Sequence, residues 1–84
     1  MRVVDIHEPI EVITHFGKNS VRPLRFKWNE RVYKVRQWNS FWVRKKGYDR
    51  HYHFAVKLDN ADRVVLSFDD STLQWQIARI YLDE

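Results

Sequence analysis

The 84-residue sequence has no cysteine and only two glycines, and these shortages exclude several classes of protein. Without cysteine, the chain cannot be a disulfide scaffold or hold a cysteine-based zinc site, and it fits a reducing compartment. Gly17 and Gly47 stand alone, so there is no glycine-rich loop of the kind that cradles phosphates. No apolar run approaches the ~18 residues of a transmembrane helix. The first ten residues contain acids where a signal peptide would be apolar, so we expect a cytoplasmic protein with no membrane partner.

Aromatic residues, in contrast, are abundant: the chain has four Trp, four Tyr and five Phe. Each buried ring removes roughly 150 to 250 Å² from water, which is enough to build a core without disulfides or a cofactor. A chain of this length buries on the order of 60 to 65% of the surface that its unfolded form exposes. We therefore predict a single small domain over residues 1–84.

Alternation of apolar and polar residues with a period of two predicts an all-β fold. The alternation is clearest at 24–28 and at 50–58. Turn-forming residues separate the alternating runs. These turns are expected at 17–20, 29–30, 59–62 and 69–70. The sequence thus predicts five or six antiparallel strands, paired in chain order, in a strongly bent sheet or small barrel.

Three segments are harder to assign. Trp38, Phe41 and Trp42 are spaced for either a bulge or a short helical turn. The basic segment 44–48 is predicted to be an exposed loop. The segment 71–82 fits a strand, or a helix that begins with a capping box, and the β-rich context favours the strand.

The same alternation gives every strand an inward and an outward face. The predicted core consists of Leu24, Phe26, Trp28, Tyr33, Val35, Tyr52, Phe54, Val56, Leu58, Val64, Leu66 and Phe68. The opposite parity of three successive strands is expected to form one basic surface. Its members are Arg25, Lys27, Lys34, Arg36, Trp38, His51, His53 and Lys57.

The charge distribution indicates a polyanionic partner. Residues 18–57 contain twelve bases and two acids, a formal charge of +10, whereas both ends of the chain are net acidic. Lys and Arg neutralise phosphates, and exposed rings stack on bases at about 1 to 3 kcal/mol each. We predict a non-enzymatic nucleic-acid-binding module that uses the basic surface. Further contacts are expected from Trp42, Arg44, Lys45, Lys46 and Arg50.

Two other interpretations of the charge remain open. The bases of the middle segment can simply pair with the acidic ends of the chain on a solvated surface. Alternatively, the chain is an interaction or scaffold domain, and a sheet edge or Trp-rich patch binds an acidic protein or a polymerase-like partner.

Signals for catalysis or metal binding are weak. The serines lie outside any recognisable nucleophile motif, at Ser20, Ser40, Ser67 and Ser71. Asp69 and Asp70 are better explained as turn formers than as a catalytic pair. His51 and His53 would share a strand face, but no third metal ligand is close in the sequence. We therefore predict no enzyme activity, no metal and no cofactor.

An ordered set of mostly apolar and aromatic positions runs through nearly the whole chain. It comprises Pro9-Ile10-Glu11-Val12, Pro23-Leu24, Phe26, Trp28, Arg31, Tyr33, Val35, Trp42, Arg50, Tyr52, Trp75, Ile77, Arg79 and Tyr81. This set resembles an uncharacterised family of small bacterial domains, found alone or at the carboxyl end of proteins similar to Y-family lesion-bypass DNA polymerases. The resemblance implies the β fold, implies no catalytic residue, and favours nucleic acid by analogy only. The chain departs from the family pattern at 29–30, where the family has a glycine-containing turn, and in its extra basic segment at 44–46.

Overall fold

The computed structural model describes residues 2–82, which form six antiparallel strands and no helix. The strands are β1 (Arg2–Phe16), β2 (Val21–Trp28), β3 (Arg31–Lys46), β4 (Asp49–Leu58), β5 (Arg63–Asp69) and β6 (Gln74–Leu82). Each strand pairs with the next in the chain, and β6 pairs back onto β1, so the sheet closes into a barrel. The predicted all-β barrel is confirmed, and so is the strand assignment of the carboxyl-terminal segment.

The two longest strands, β1 and β3, divide their length between different partners. The first half of β1 pairs with β6 and its second half with β2. The first four residues of β3, Arg31–Lys34, pair with β2, whereas Val35–Lys46 pair with β4. The barrel therefore consists of a three-stranded sheet centred on β2 and a five-stranded sheet centred on β5. Beyond Lys34 the register joins β3 to β4 alone.

Bulges allow the long strands to bend around the core. In β3, Arg36 and Asn39 are extra residues, because Val35, Gln37, Trp38 and Ser40 pair with four consecutive residues of β4. An extra residue bends its strand and reverses the face to which later side chains point. The bulge alternative for this segment is thus confirmed, but simple alternation fails along β3.

The buried cluster lies between the two sheets and confirms most of the predicted core. Its members are Phe26, Val35, Phe54, Val56, Leu58, Val64, Leu66 and Ile77. The prediction is wrong at Leu24, which is 41% exposed, while the adjacent Pro23 is fully buried. A register shift makes Leu24 the extra residue of β2, so that Pro23 takes the inward position opposite Thr14. Val65, Ile77 and Ala78 are buried too, although the predicted core did not include them.

Two-residue turns make both hairpins of β3. Asn29 and Glu30 join β2 to β3 with φ values of 51° and 65°. Positive φ at both positions defines a type I′ turn, which matches the strand twist, so the predicted tight hairpin is confirmed. Gly47, with φ of 63°, and Tyr48 join β3 to β4. The prediction of a loop at 44–46 is wrong, because these residues continue β3 as far as this turn.

Replacing Glu30 by glycine is expected to stabilise the domain by about 1 kcal/mol, because glycine adopts positive φ without steric cost. The Lys27–Glu30 ion pair lost in this variant is solvent-exposed and contributes little. Circular dichroism should show a Tm increase of about 4 to 8 °C. Gly47→Ala is the control of opposite sign: its Cβ would meet nothing within 4 Å, so that φ alone causes a decrease in Tm. Unchanged midpoints in both variants would contradict the effect of φ.

Candidate functional site

The strand β3 concentrates the basic and aromatic side chains of the domain. Its sixteen residues include six bases and no acid. Trp38, Phe41 and Trp42 are 38%, 55% and 36% exposed, which is unusual for such large apolar side chains. Exposed rings beside positive charge form a surface that can both stack on flat groups and attract anions.

The basic residues predicted to share one surface fall into two groups. Arg25, Lys27 and Lys34 lie on the three-stranded sheet, where Arg25 is directly opposite Lys34. The second group lies on β4 of the five-stranded sheet and consists of His51, His53 and Lys57. Two of the residues predicted as further contacts, Trp42 and Arg44, lie opposite His53 and His51 on β3, and Arg36 is an extra residue in the bulge of β3. The two sheets close around one core, so their outer faces point in different directions. The expectation of one common surface is therefore wrong.

Trp38 was predicted to point outward with the bases, and the structure places it on the inner side of β3. The bulge at Arg36 reverses the alternation, so that Trp38 lies opposite the buried Val56. Its Nε1 donates a hydrogen bond to the carbonyl oxygen of Pro23 at 2.9 Å. The guanidinium of Arg22 lies 5.4 Å from the centre of its ring, within cation–π range. Trp38 therefore bridges β2 and β3 where their backbones no longer pair.

The end of the β3–β4 hairpin holds the densest positive charge. Arg44 and Lys46 lie opposite His51 and Asp49, respectively, while Lys45 lies opposite Arg50. Among residues 2–82, no carboxylate forms an ion pair with any of Arg44, Lys45 or Arg50. Like charges directly opposite each other destabilise a strand pair, so an anion bound here would relieve repulsion.

A mixed aromatic and cationic cluster lies on the outer face of β3 and β4. The ring of Trp42 stacks on the imidazole of His53, with centroids 5.3 Å apart and an interplanar angle of 8°. Arg44 and His51 form the next cross-strand pair. Nε2 of His51 lies 3.8 Å from Oδ2 of Asp69, which supplies negative charge at the rim of the cluster.

Asp69 and Asp70 organise the turn after β5, in agreement with their prediction as turn formers. Asp69 accepts hydrogen bonds from the hydroxyl of Ser71 at 2.7 Å and from its backbone N–H at 2.9 Å. These bonds lower the pKa of Asp69 below its ordinary value. Oδ1 of Asp70 accepts a bond from the backbone N–H of Arg50 and connects this turn to the basic hairpin.

The acid stability of the domain is expected to depend on His53. Burial, followed by the charges of Arg44, His51 and Arg79, lowers the pKa of His53 below its ordinary value. The unfolded chain therefore binds this proton first as pH falls below about 6.5, and stability is lost until the pH passes the folded pKa. Urea unfolding between about pH 5 and 8 should show a weaker pH dependence in His53→Gln.

The matched control for that measurement is His15→Gln, which removes an exposed histidine from β1. This variant should keep the pH slope of the parent protein. If His53→Gln and the parent lose stability with the same slope, His53 is not the group responsible.

A cleft of about 380 Å³ lies between the start of β2 and the middle of β3. Its floor is Phe54, which is buried in the core. Most of the residues that line it were not predicted from the sequence to belong to a functional site. They are Asn19, Ser20, Arg22, Asn39, Ser40 and Phe41. The only sequence signal was the irregular spacing of the rings in β3, since the cleft forms where β3 leaves β2.

Within residues 2–82, no three His, Cys, Asp or Glu side chains cluster as metal ligands. The range also contains no helix long and apolar enough to cross a membrane.

Fold and site together define a small six-stranded antiparallel barrel with one basic, aromatic strand. Comparisons with protein-family models, curated proteins and solved structures find no match. The resemblance to polymerase-associated domains therefore stays a prediction.

Proposed function

We propose that this chain is a non-enzymatic module that binds single-stranded nucleic acid along β3. The observation that supports this best is the composition of β3, with six bases, no acid and three partly exposed rings in sixteen residues. Lys and Arg side chains alone would bind any polyanion. The combination with rings favours a ligand that offers both phosphates and aromatic faces.

Phosphate contacts are expected at the hairpin end of β3. Arg44, Lys45 and Lys46 are consecutive and exposed. A bound anion would relieve the repulsion between Lys45 and Arg50, which lie opposite each other. Each phosphate that they neutralise releases condensed counterions, which supplies affinity without sequence specificity.

Stacking contacts are expected from the exposed rings. Trp42 is held flat against His53, and Phe41 packs against Phe54 with centroids 5.1 Å apart. Rings held by such packing lose little conformational entropy when a base stacks on them. Bases of a duplex are already stacked on each other, so these rings favour a single strand.

The test is a titration of the protein with a fluorescently labelled single-stranded oligonucleotide and with the corresponding duplex. Affinity for the single strand should be higher, and log K should fall linearly with log salt concentration, with a slope of about −0.7 for each phosphate contacted. No binding at about 0.05 M salt would refute the proposal. Binding that does not respond to salt would refute the phosphate contacts.

A second candidate function follows from the edge of β3. Val35–Lys46 pair with β4 alone, so part of this strand is available for an added strand from another protein. Its positive charge favours an extended acidic peptide. Calorimetry with glutamate-rich peptides would detect such binding. Hydrogen exchange of the backbone amides of β3 should slow when the peptide binds. Unchanged exchange in the presence of the peptide would eliminate this function.

A further inference from the structure

The cleft between β2 and β3 exists because the two strands separate after a short ladder. They pair only from Arg25 to Trp28 in β2 and from Arg31 to Lys34 in β3. Beyond this ladder, the bond from Trp38 to the carbonyl of Pro23 connects them through a side chain. The opening therefore arises from the backbone architecture of β2 and β3, and the turn between β1 and β2 adds Asn19 and Ser20 to its lining.

Aromatic rings form the walls and the floor of this cleft. Trp38 and Phe41 line it, and the buried Phe54 closes it below. Phe41 is held by contacts with both Phe54 and Tyr52. A flat, unsaturated ligand is the best match for such walls, because offset stacking stabilises ring pairs beyond the area that they bury.

The remaining lining is polar and uncharged, which narrows the class of ligand further. Asn19, Ser20, Asn39 and Ser40 line the cleft, and within residues 2–82 none of their side chains has a hydrogen-bond partner. Amides and hydroxyls both donate and accept. A nucleobase presents donors and acceptors at the edge of a flat ring and can pair with these groups, whereas an apolar peptide side chain cannot.

Positive charge lies on both sides of the opening. Arg22 stands over Trp38 on one side, and Lys45 lies four residues beyond Phe41 along β3, roughly 13 Å away at the rise of a strand. A nucleic-acid strand that lies along β3 would therefore place its phosphates near Arg22 and Lys45, while one of its nucleobases enters the cleft.

We infer that the cleft between β2 and β3 binds one unstacked nucleobase, stacked against Trp38 and Phe41 and hydrogen-bonded by Asn39 and Ser40. This inference rests on the proposed function, since it assigns the base-binding part of the same site. Phosphate contacts at the hairpin end supply affinity, and the cleft makes binding depend on the nucleobases of the strand.

The experiment compares an oligonucleotide with an abasic strand of the same length and phosphate number. The normal strand should bind at least about fivefold more tightly than the abasic strand, as expected for one stacked base. The double variant Asn39→Ala, Ser40→Ala should lower this ratio, because it removes the hydrogen bonds to the nucleobase while Trp38 and Phe41 remain. Gln37→Ala should keep it, because Gln37 lies opposite Lys57 on the outer face and does not line the cleft.

The outcomes separate this inference from the function on which it rests. Equal, salt-dependent binding of the normal and abasic strands would overturn the nucleobase cleft and leave the phosphate contacts standing. If the normal strand binds more tightly than the abasic strand and the double variant does not change this ratio, the cleft is not the nucleobase site. The nucleobases would then stack elsewhere, for example on Trp42. Failure of both strands to bind at low salt would overturn the proposed function and the cleft together.

Discussion

Replacing Arg44, Lys45 and Lys46 together by alanine is expected to weaken single-strand binding about 100-fold at about 0.1 M salt. The three residues supply up to three phosphate contacts, and single strands show a slope of about −0.7 for each. The slope of log K against log salt concentration should therefore become shallower by about 2. Fluorescence anisotropy over a series of salt concentrations measures both quantities in one experiment.

The matched control removes the same charge away from β3, in the triple variant Arg25→Ala, Lys27→Ala, Arg63→Ala. All three side chains are exposed, and they lie on β2 and at the start of β5. We expect a much smaller loss of affinity and a nearly unchanged slope. If both triple variants lose affinity equally, binding follows net charge and the hairpin end of β3 is not the contact.

The variant Ile77→Ala is expected to cost about 2 to 5 kcal/mol of the free energy of unfolding. Ile77 is fully buried at the centre of the barrel, so truncation removes apolar contacts and leaves a cavity. Small domains have roughly 5 to 15 kcal/mol of stability in total, and this single change removes a large share of it. Urea unfolding followed by tryptophan fluorescence measures the loss.

Ile13→Ala is the control for this measurement, because it makes the same chemical change at a side chain that is 54% exposed. Its cost should be no more than about 1 kcal/mol, the range of β propensities. Equal destabilisation in the two variants would contradict the position of Ile77 in the core.

The predictions from sequence succeeded where side chains alternate strictly and failed at the bulges. In β4, Phe54, Val56 and Leu58 alternate without interruption, and all three are buried as predicted. In β2 and β3, single extra residues reversed the alternation and misplaced Leu24 and Trp38. A bulge depends on which residue of a neighbouring strand lies opposite, and one strand's sequence does not contain that information.

The sequence by itself determined the all-β class, the order of the strands and the positive charge of the middle segment. These properties follow from the period of two, from turn residues and from composition, all of which are local. Only the tertiary structure decided which basic residues share a face, that residues 44–46 continue β3, and that a ring-lined cleft opens beside Trp38. Those features depend on cross-strand register and on where β3 leaves one partner for another. Both are set by packing around the whole barrel.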